Sequence, residues 1–219
     1  MNKKKFSLYD KVANYLMVKS FCIKENGLLH GKMALALTIY HYGIYMKNHI
    51  YIEFSMNLLE SILKCEESIQ TPILNFSKGE IGIGWGIEYL LFKQAEFEYN
   101  EKFRQYLAQI DILVKDAFSN DSFSSNYEMF IGVLHYTLIR NIGCGRRKEL
   151  PPYSSSFVKE MYRQCFYASK NGYNQYFRID PYIINISTIY PLLYVHDEKS
   201  ETSLISGFPK VLLEYLKII

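Results

Sequence analysis

Four cysteines and five histidines are the residues of this chain best suited to bind a metal or act as nucleophiles. The cysteines form no C-x-x-C pair, and none has a histidine beside it at the spacing of metal ligands; they are Cys22, Cys65, Cys144 and Cys165. Structural zinc sites and disulfide frameworks use tighter spacing. We therefore expect four reduced, buried thiols that behave as small apolar side chains, and no metal site or cofactor.

Three residues in the first half of the chain are candidates for a binding site. His30, in the segment LHG, precedes an apolar helix, where it could act as a proton shuttle or simply pack at the helix start. Trp85 and Glu88 lie together in a second apolar segment. Because a carboxylate in such surroundings needs a partner, Glu88 either lines a binding groove or forms a structural ion pair.

No catalytic constellation accompanies these candidates. His41 and His135 lie within apolar helices, as residues at the edge of a core do, and no nucleophile–base pair or paired carboxylates can be identified. The segment GEIGIGWG, from Gly79, has glycines at G-x-x-G-x-G spacing but no strand before it, which excludes a dinucleotide-binding loop. We assign no catalytic residue and favour a protein that is not an enzyme.

Charge and hydropathy exclude several partners. The net charge is only +3, and no clustered basic stripe predicts nucleic-acid binding. The longest uncharged stretches, residues 33–46 and 181–195, are shorter than the ~18–20 residues that span a membrane. The amino terminus is basic but lacks the apolar core of a secretion signal, so we expect a cytoplasmic protein. The 20 tyrosines suit a core boundary or a groove, but an AT-rich coding sequence would also produce them.

Apolar residues recur at helical spacing along most of the chain, with amphipathic helices alternating with helices that are apolar nearly all round. The amphipathic faces are Leu8, Val12, Tyr15 and Lys19; Phe54, Leu58 and Ile62; and Phe103, Leu107, Ile110 and Val114. The apolar segments are residues 27–45, 81–92 and 129–142. The pattern predicts an all-α fold.

An internal repeat of about fifty residues underlies this alternation. The segment GLLHGKMALAL aligns with GEIGIGWGIEYL at an offset of 48, which pairs Gly31 with Gly79 and Ala34 with Gly82. A weaker third copy places Gly132 fifty residues after Gly82. Small residues at these positions allow an apolar helix to begin tightly against its neighbours. Each unit is then a helical hairpin of one inner and one outer helix, unless the glycines coincide by chance in an ordinary bundle.

The last third of the chain follows this pattern less clearly. After Pro151-Pro152 we expect a helix with Val158, Met161, Tyr162 and Cys165 on one side. Further helices are predicted from Asp180-Pro181 onwards, with Asp180 as cap, and over residues 210–216. No linker separates these helices from the rest, so we expect a single domain over residues 1–219, with a soft seam at 145–153.

The segments GLLHGKMALALTIYHY and FSKGEIGIGWGIEYLL resemble the glycine-rich starts of inner helices in lanthionine synthetase C-like (LanC-like) proteins, especially divergent ones of Bacteroidetes peptide-modification clusters. The resemblance covers residues 27–45 and 76–92 well, 126–142 poorly and the final third hardly at all. It implies an α/α toroid, with an active site in the central bowl. This chain is about half as long as complete members, so an incomplete ring is expected.

The family's zinc ligands, a cysteine in a glycine-rich turn and a later Cys-His pair, are not both present. Cys144 in NIGCGRR is the only cysteine in a predicted glycine-rich turn, and no Cys-His pair exists. We therefore expect a non-catalytic LanC-like protein that binds a peptide or a partner enzyme. Two alternatives stay open: a cyclase subunit completed by another chain, and a helical scaffold unrelated to peptide modification.

Self-association is the last expectation. Three or four hairpins leave the two ends of the array open, and repeat arrays need polar caps at their ends. The first helix, with Asp10, Lys11 and Lys19, suits one cap, whereas the terminal VLLEYLKII suits the other poorly. A homodimer would bury the open end; alternatively, the last third folds back and caps the array as a monomer.

Overall fold

The computed structural model describes residues 7–66, 74–93, 101–120 and 127–170, together with Leu213. Within these ranges it contains seven helices and no strand, which confirms the all-α prediction. The helices are α1 (Leu8–Ser20), α2 (Lys32–Met46), α3 (His49–Glu66), α4 (Glu80–Lys93), α5 (Glu101–Ser119), α6 (Tyr127–Arg146) and α7 (Ser155–Lys170). None of the helices in these ranges combines the length and apolarity needed to cross a membrane.

Inner and outer helices alternate along the chain, as the hydrophobic pattern predicts. α2 and α4 bury long continuous runs of residues, 33–40 and 80–90, because they carry apolar side chains on every face. α3 and α5 bury one face each, and on α5 this face is the predicted one: Phe103, Leu107, Ile110 and Val114. α2 packs against α3, α4 against both α5 and α6, and α6 against α7.

The offset of 48 residues predicted from the sequence also separates the starts of two inner helices in the structure. α2 begins at Lys32 and α4 at Glu80, each directly after a glycine. In both units the N–H of that glycine donates to the carbonyl four residues earlier, Gly31 to Gly27 at 3.1 Å and Gly79 to Asn75 at 3.0 Å. The two turns are joined through matching positions, because the N–H of Leu29 donates to the carbonyl of Ser77 at 2.8 Å. The two units therefore start in the same way and pack side by side.

Glycines of the inner helices allow each unit to approach the turn of the preceding one. A Cβ on Gly82 would overlap the carbonyl oxygen of Phe76 and lie 2.9 Å from the Cβ of Leu28. A Cβ on Gly132, in α6, would overlap the Cβ of Phe76. Leu28 and Phe76 are themselves 48 residues apart. The same contact, a glycine against the turn residue of the preceding unit, therefore occurs twice, as the aligned glycines predict.

The first helix buries a different face from the predicted one. Ala13, Leu16 and Ser20 point into the protein, whereas Leu8 and Tyr15 of the predicted apolar face are exposed. α1 has apolar residues on two sides, so its periodicity alone does not decide which side is buried. Two hydrogen bonds, from Tyr42 to Asp10 and from Tyr51 to Asn14, hold α1 with Ala13, Leu16 and Ser20 facing the protein.

Residues 143–146 belong to a helix, not to the glycine-rich turn that the sequence suggests. α6 continues through Gly143, Cys144 and Gly145 to Arg146, and the chain turns only at Lys148, whose φ is 58°. Glycine disfavours a helix, by about 1 kcal/mol relative to alanine, but packing against α4 offsets that cost. The predicted helix after Asp180 lies outside the described residues, and of the predicted helix at 210–216 only Leu213 is described, buried and helical.

Candidate functional site

Buried charges converge where α4, α5 and α6 meet. Glu88, on α4, is fully excluded from solvent. Its Oε1 accepts hydrogen bonds from Arg140 Nη1 at 2.7 Å and from Arg147 Nη2 at 2.9 Å, and its Oε2 accepts one from Arg147 Nη1 at 2.9 Å. Of the two roles that the sequence left open for Glu88, the geometry is that of an ion pair. Two guanidinium groups satisfy the carboxylate, as its burial requires.

Asp111, in the middle of α5, is the second buried carboxylate. Its Oδ2 accepts from Arg140 Nε at 3.0 Å, and its Oδ1 accepts from the hydroxyls of Tyr136 and Tyr153, each at 2.9 Å. Burial, reinforced by the charge of Asp111, raises the pKa of both phenols well above the usual value. Both tyrosines therefore remain protonated and donate to the carboxylate at any physiological pH.

Arg140 bridges the two carboxylates and is itself buried. Burial alone would lower the pKa of its guanidinium, but Asp111, Tyr136 and Glu88 raise it, with a net result above the usual value. Arg147 and Glu149 connect the cluster to the surface, with Arg147 Nε 3.1 Å from Glu149 Oε2. We call Glu88, Asp111, Arg140, Arg147 and Glu149 the charge cluster.

Cys144 lies against the charge cluster. Its Sγ is 3.3 Å from Arg140 Nη1 and 3.8 Å from Arg147 Nη2. The thiol is buried, as predicted, and burial raises its pKa although the two arginines oppose that change. It is therefore a protonated thiol at neutral pH, not the thiolate that nucleophilic attack requires. Cys22, by contrast, is exposed, so the expectation of a buried thiol is wrong there.

The local sequence explains why these groups meet. Arg140, Cys144 and Arg147 recur at the spacing of three and four residues that places side chains on one helical face. Gly143 lies beside them, and a Cβ there would overlap Glu88 Oε2. The small residue in α6 therefore makes room for the carboxylate of α4.

Trp85 and Tyr89 form an aromatic stack inside the protein. Trp85 is 2% exposed, and its ring stacks on that of Tyr89 with centroids 5.1 Å apart and planes inclined by 16°. The edge of Phe76 packs against Trp85, with ring centroids 6.2 Å apart. The hydroxyl of Tyr89 lies 2.9 Å from Nε2 of His41, which occupies the matching position of the first unit. The predicted binding residue Trp85 is therefore part of the core.

His30 lies at the other end of the inner helices. It is partly exposed and belongs to the turn before α2, which is bonded to the matching turn before α4. The turn that contains His30 is bonded to the turn before Glu80, where α4 begins. Glu88 lies eight residues after Glu80, which is roughly 12 Å further along the axis of α4. The structure therefore places Trp85 and Glu88 one turn apart on α4 and leaves His30 away from the charge cluster.

The charge cluster includes four residues that the sequence did not identify as members of a site: Asp111, Arg140, Arg147 and Glu149. The basic run Arg146-Arg147-Lys148 favoured a solvated segment, whereas the side chain of Arg147 is only 18% exposed and pairs with Glu88. A signal was present for two of the four. Asp111 follows Ile110 on the buried side of α5, and Arg140 interrupts the apolar segment 129–142. Two opposite charges on otherwise apolar faces are each expensive to bury alone, which favours pairing them with each other.

The described ranges contain no group of three or more histidine, cysteine, aspartate or glutamate side chains placed to hold a metal ion. The charge cluster can hold helices together, but every carboxylate oxygen of Glu88 and Asp111 is already engaged. The described helices and this cluster define an all-α protein with a buried polar network. No protein-family model, curated protein or solved structure matches the chain.

Proposed function

We propose that this chain is a non-catalytic LanC-like protein, an incomplete α/α toroid that binds a peptide or a partner enzyme in lanthipeptide-type biosynthesis. The proposal combines the resemblance of two segments with one structural observation. The segments that carry the resemblance, residues 27–45 and 76–92, contain the two inner-helix starts, which lie 48 residues apart.

The paired turns before α2 and α4 are the observation that carries this proposal. Their backbones are joined through Leu29 and Ser77, so both inner helices begin at the same end of the array. Helix starts grouped in this way place the positive ends of two helix dipoles on the same side of the array. A peptide bound across this end would meet the partly exposed ring of His30, whose two nitrogens are buried, in the first turn, and the exposed Lys78 in the second, at the matching position.

The chemistry of the charge cluster supports the proposal that this protein does not catalyse cyclisation. Cys144, the cysteine nearest to the family's pattern, is a buried thiol whose raised pKa keeps it protonated. Arg140 and Arg147, which could otherwise activate it, are held by Glu88. A group so enclosed has no access to a substrate peptide.

Peptide binding without cyclisation is the expected behaviour. The probe is a fluorescent synthetic peptide with one dehydroalanine and one cysteine, and the control is the same peptide with alanine and serine in their places. We expect saturable fluorescence anisotropy for the probe, with a Kd on the order of micromolar, and no acceleration of cyclisation by mass spectrometry. The variant His30→Ala should weaken binding about tenfold, whereas the exposed His49→Ala should not.

The outcomes separate the alternatives. Accelerated cyclisation would support a cyclase subunit and contradict the non-catalytic proposal. No binding of either peptide would favour a scaffold unrelated to peptide modification.

High-affinity zinc binding is not expected. The absence of a Cys-His pair from the sequence motivates this prediction, because zinc binding in the family depends on that pair. The measurement is elemental analysis after purification under reducing conditions and dialysis against a chelator, where zinc should fall well below one equivalent. One retained equivalent would contradict the prediction, and loss of that zinc in Cys144→Ser would then identify a ligand.

A further inference from the structure

The first helix exposes apolar side chains where a cap should be polar. Leu8, Val18 and Phe21 are 70%, 69% and 82% exposed, and Tyr15 is also exposed. The outer surface of α1 is therefore less polar than the predicted cap of the array would be. Leu8, Tyr15 and Val18 are separated by seven and three residues, the spacing of a seam along which two helices pair.

A second group of exposed apolar side chains adjoins α1. Ile44, Tyr45 and Met46 end α2, Ile50 lies in the first turn of α3, and all four are exposed. The hydrogen bonds of Tyr42 to Asp10 and of Tyr51 to Asn14 place this corner against the amino-terminal half of α1. We call α1, the Phe21 that follows it and this corner the N-terminal surface.

Exposed apolar side chains are concentrated on this surface. Of the eleven large hydrophobic residues that are exposed in the described part of the chain, eight belong to it. Contiguous apolar patches of more than a few hundred Å² mark interaction sites. With roughly 150–200 Å² for a large side chain, the eight exposed fractions amount to on the order of 700–900 Å². That area is close to the ~800 Å² that each partner buries in a standard interface.

We propose that the N-terminal surface is the interface at which a second copy of this chain binds. The area matches what a dimer needs, and two-fold pairing is the commonest way for one chain to bury a single apolar patch. The surface also contains two exposed lysines, Lys11 on the seam and Lys47 in the corner, whose aliphatic stems can lie along apolar surface while their ammonium groups reach water. Two copies can therefore meet along α1 without burying an unpaired carboxylate of the seam. This inference is independent of the proposed peptide-binding function.

The test compares the full-length chain with single variants that suit an isolated helix but not an apolar interface. Leu8→Asp places a carboxylate in the first turn of α1, and Val18→Lys places an ammonium in its last turn; both charges are favourable to the helix dipole. Each variant should keep its helical circular dichroism. Ile112→Lys, on α5, is the matched control because Ile112 is 58% exposed and lies outside the N-terminal surface.

The measurement is sedimentation velocity or light scattering over a dilution series up to on the order of 100 µM. We expect the natural chain to reach about twice its mass of 25.8 kDa and to dissociate on dilution. Leu8→Asp and Val18→Lys should each weaken the dimer at least about tenfold, and Ile112→Lys should leave it unchanged. A monomeric natural chain over the whole series would overturn the proposal, and so would a dimer that neither α1 variant weakens.

Discussion

Replacing Arg140 with methionine should destabilise the protein more than any other single change in the charge cluster. Methionine keeps the bulk of the side chain but removes the donors to Glu88 and Asp111. Removing one partner of a buried ion pair costs about 3–5 kcal/mol, because a charge is left without compensation in the interior. In urea this corresponds to a fall in the unfolding midpoint on the order of 2 M.

The order of three variants distinguishes a buried network from surface pairing. Arg147→Met should have a smaller effect than Arg140→Met, because Arg147 is partly exposed and Glu88 retains Arg140. Arg163→Met removes an exposed pair with Glu160 and should change the midpoint very little. Urea unfolding followed by circular dichroism gives all three values. Equal effects of the Arg140 and Arg163 variants would show that the charge cluster does not support the fold.

A second large loss of stability is expected for Gly82→Ala. Alanine is the better helix former by about 1 kcal/mol, so an ordinary helical position would gain stability. At Gly82 the new methyl group would overlap the carbonyl oxygen of Phe76, a backbone atom that cannot move without shifting the turn before α4. Overpacking of this kind typically costs 1–3 kcal/mol, and we expect a net loss of about 2 kcal/mol.

Gly145→Ala is the matched control, because Gly145 lies in the last turn of α6 and an added Cβ there meets no atom within 4 Å. It should be neutral or gain up to about 1 kcal/mol. Thermal unfolding measures both variants. Hydrogen exchange at the amide of Leu29, which donates to Ser77, reports whether the contact between the two turns is lost in Gly82→Ala. Unchanged stability and exchange in Gly82→Ala would contradict the close packing of the two units.

These two predictions concern two different kinds of contact that stabilise the same helices. Gly82 permits the turn of one unit to pack against the inner helix of the next, and the charge cluster joins α4, α5 and α6 further along the same helices. The glycine contact is local and repeated, whereas the charge cluster occurs once. Stability in this array therefore combines a repeated contact between units with a polar network that joins α4, α5 and α6.

Several features of the fold were predictable from the sequence because they depend on local chemistry. Spacing of apolar residues determined that the chain is helical, and helices apolar on all sides had to be the inner ones. The buried face of α5 and the offset of 48 between inner-helix starts were correctly predicted for the same reason. The matching glycines Gly82 and Gly132 also identified where the units approach one another.

Other features depended on contacts between residues distant in the chain. Glu88 and Arg140 are 52 residues apart, and only the packing of α4 on α6 brings them within 2.7 Å. Without that contact, the sequence could not decide whether Glu88 lines a groove or forms an ion pair. Similarly, α1 has two apolar sides, and the hydrogen bond from Tyr42 to Asp10 selects which of them is buried. Periodicity determines which residues share a face of a helix, but the neighbouring helices determine which face is covered.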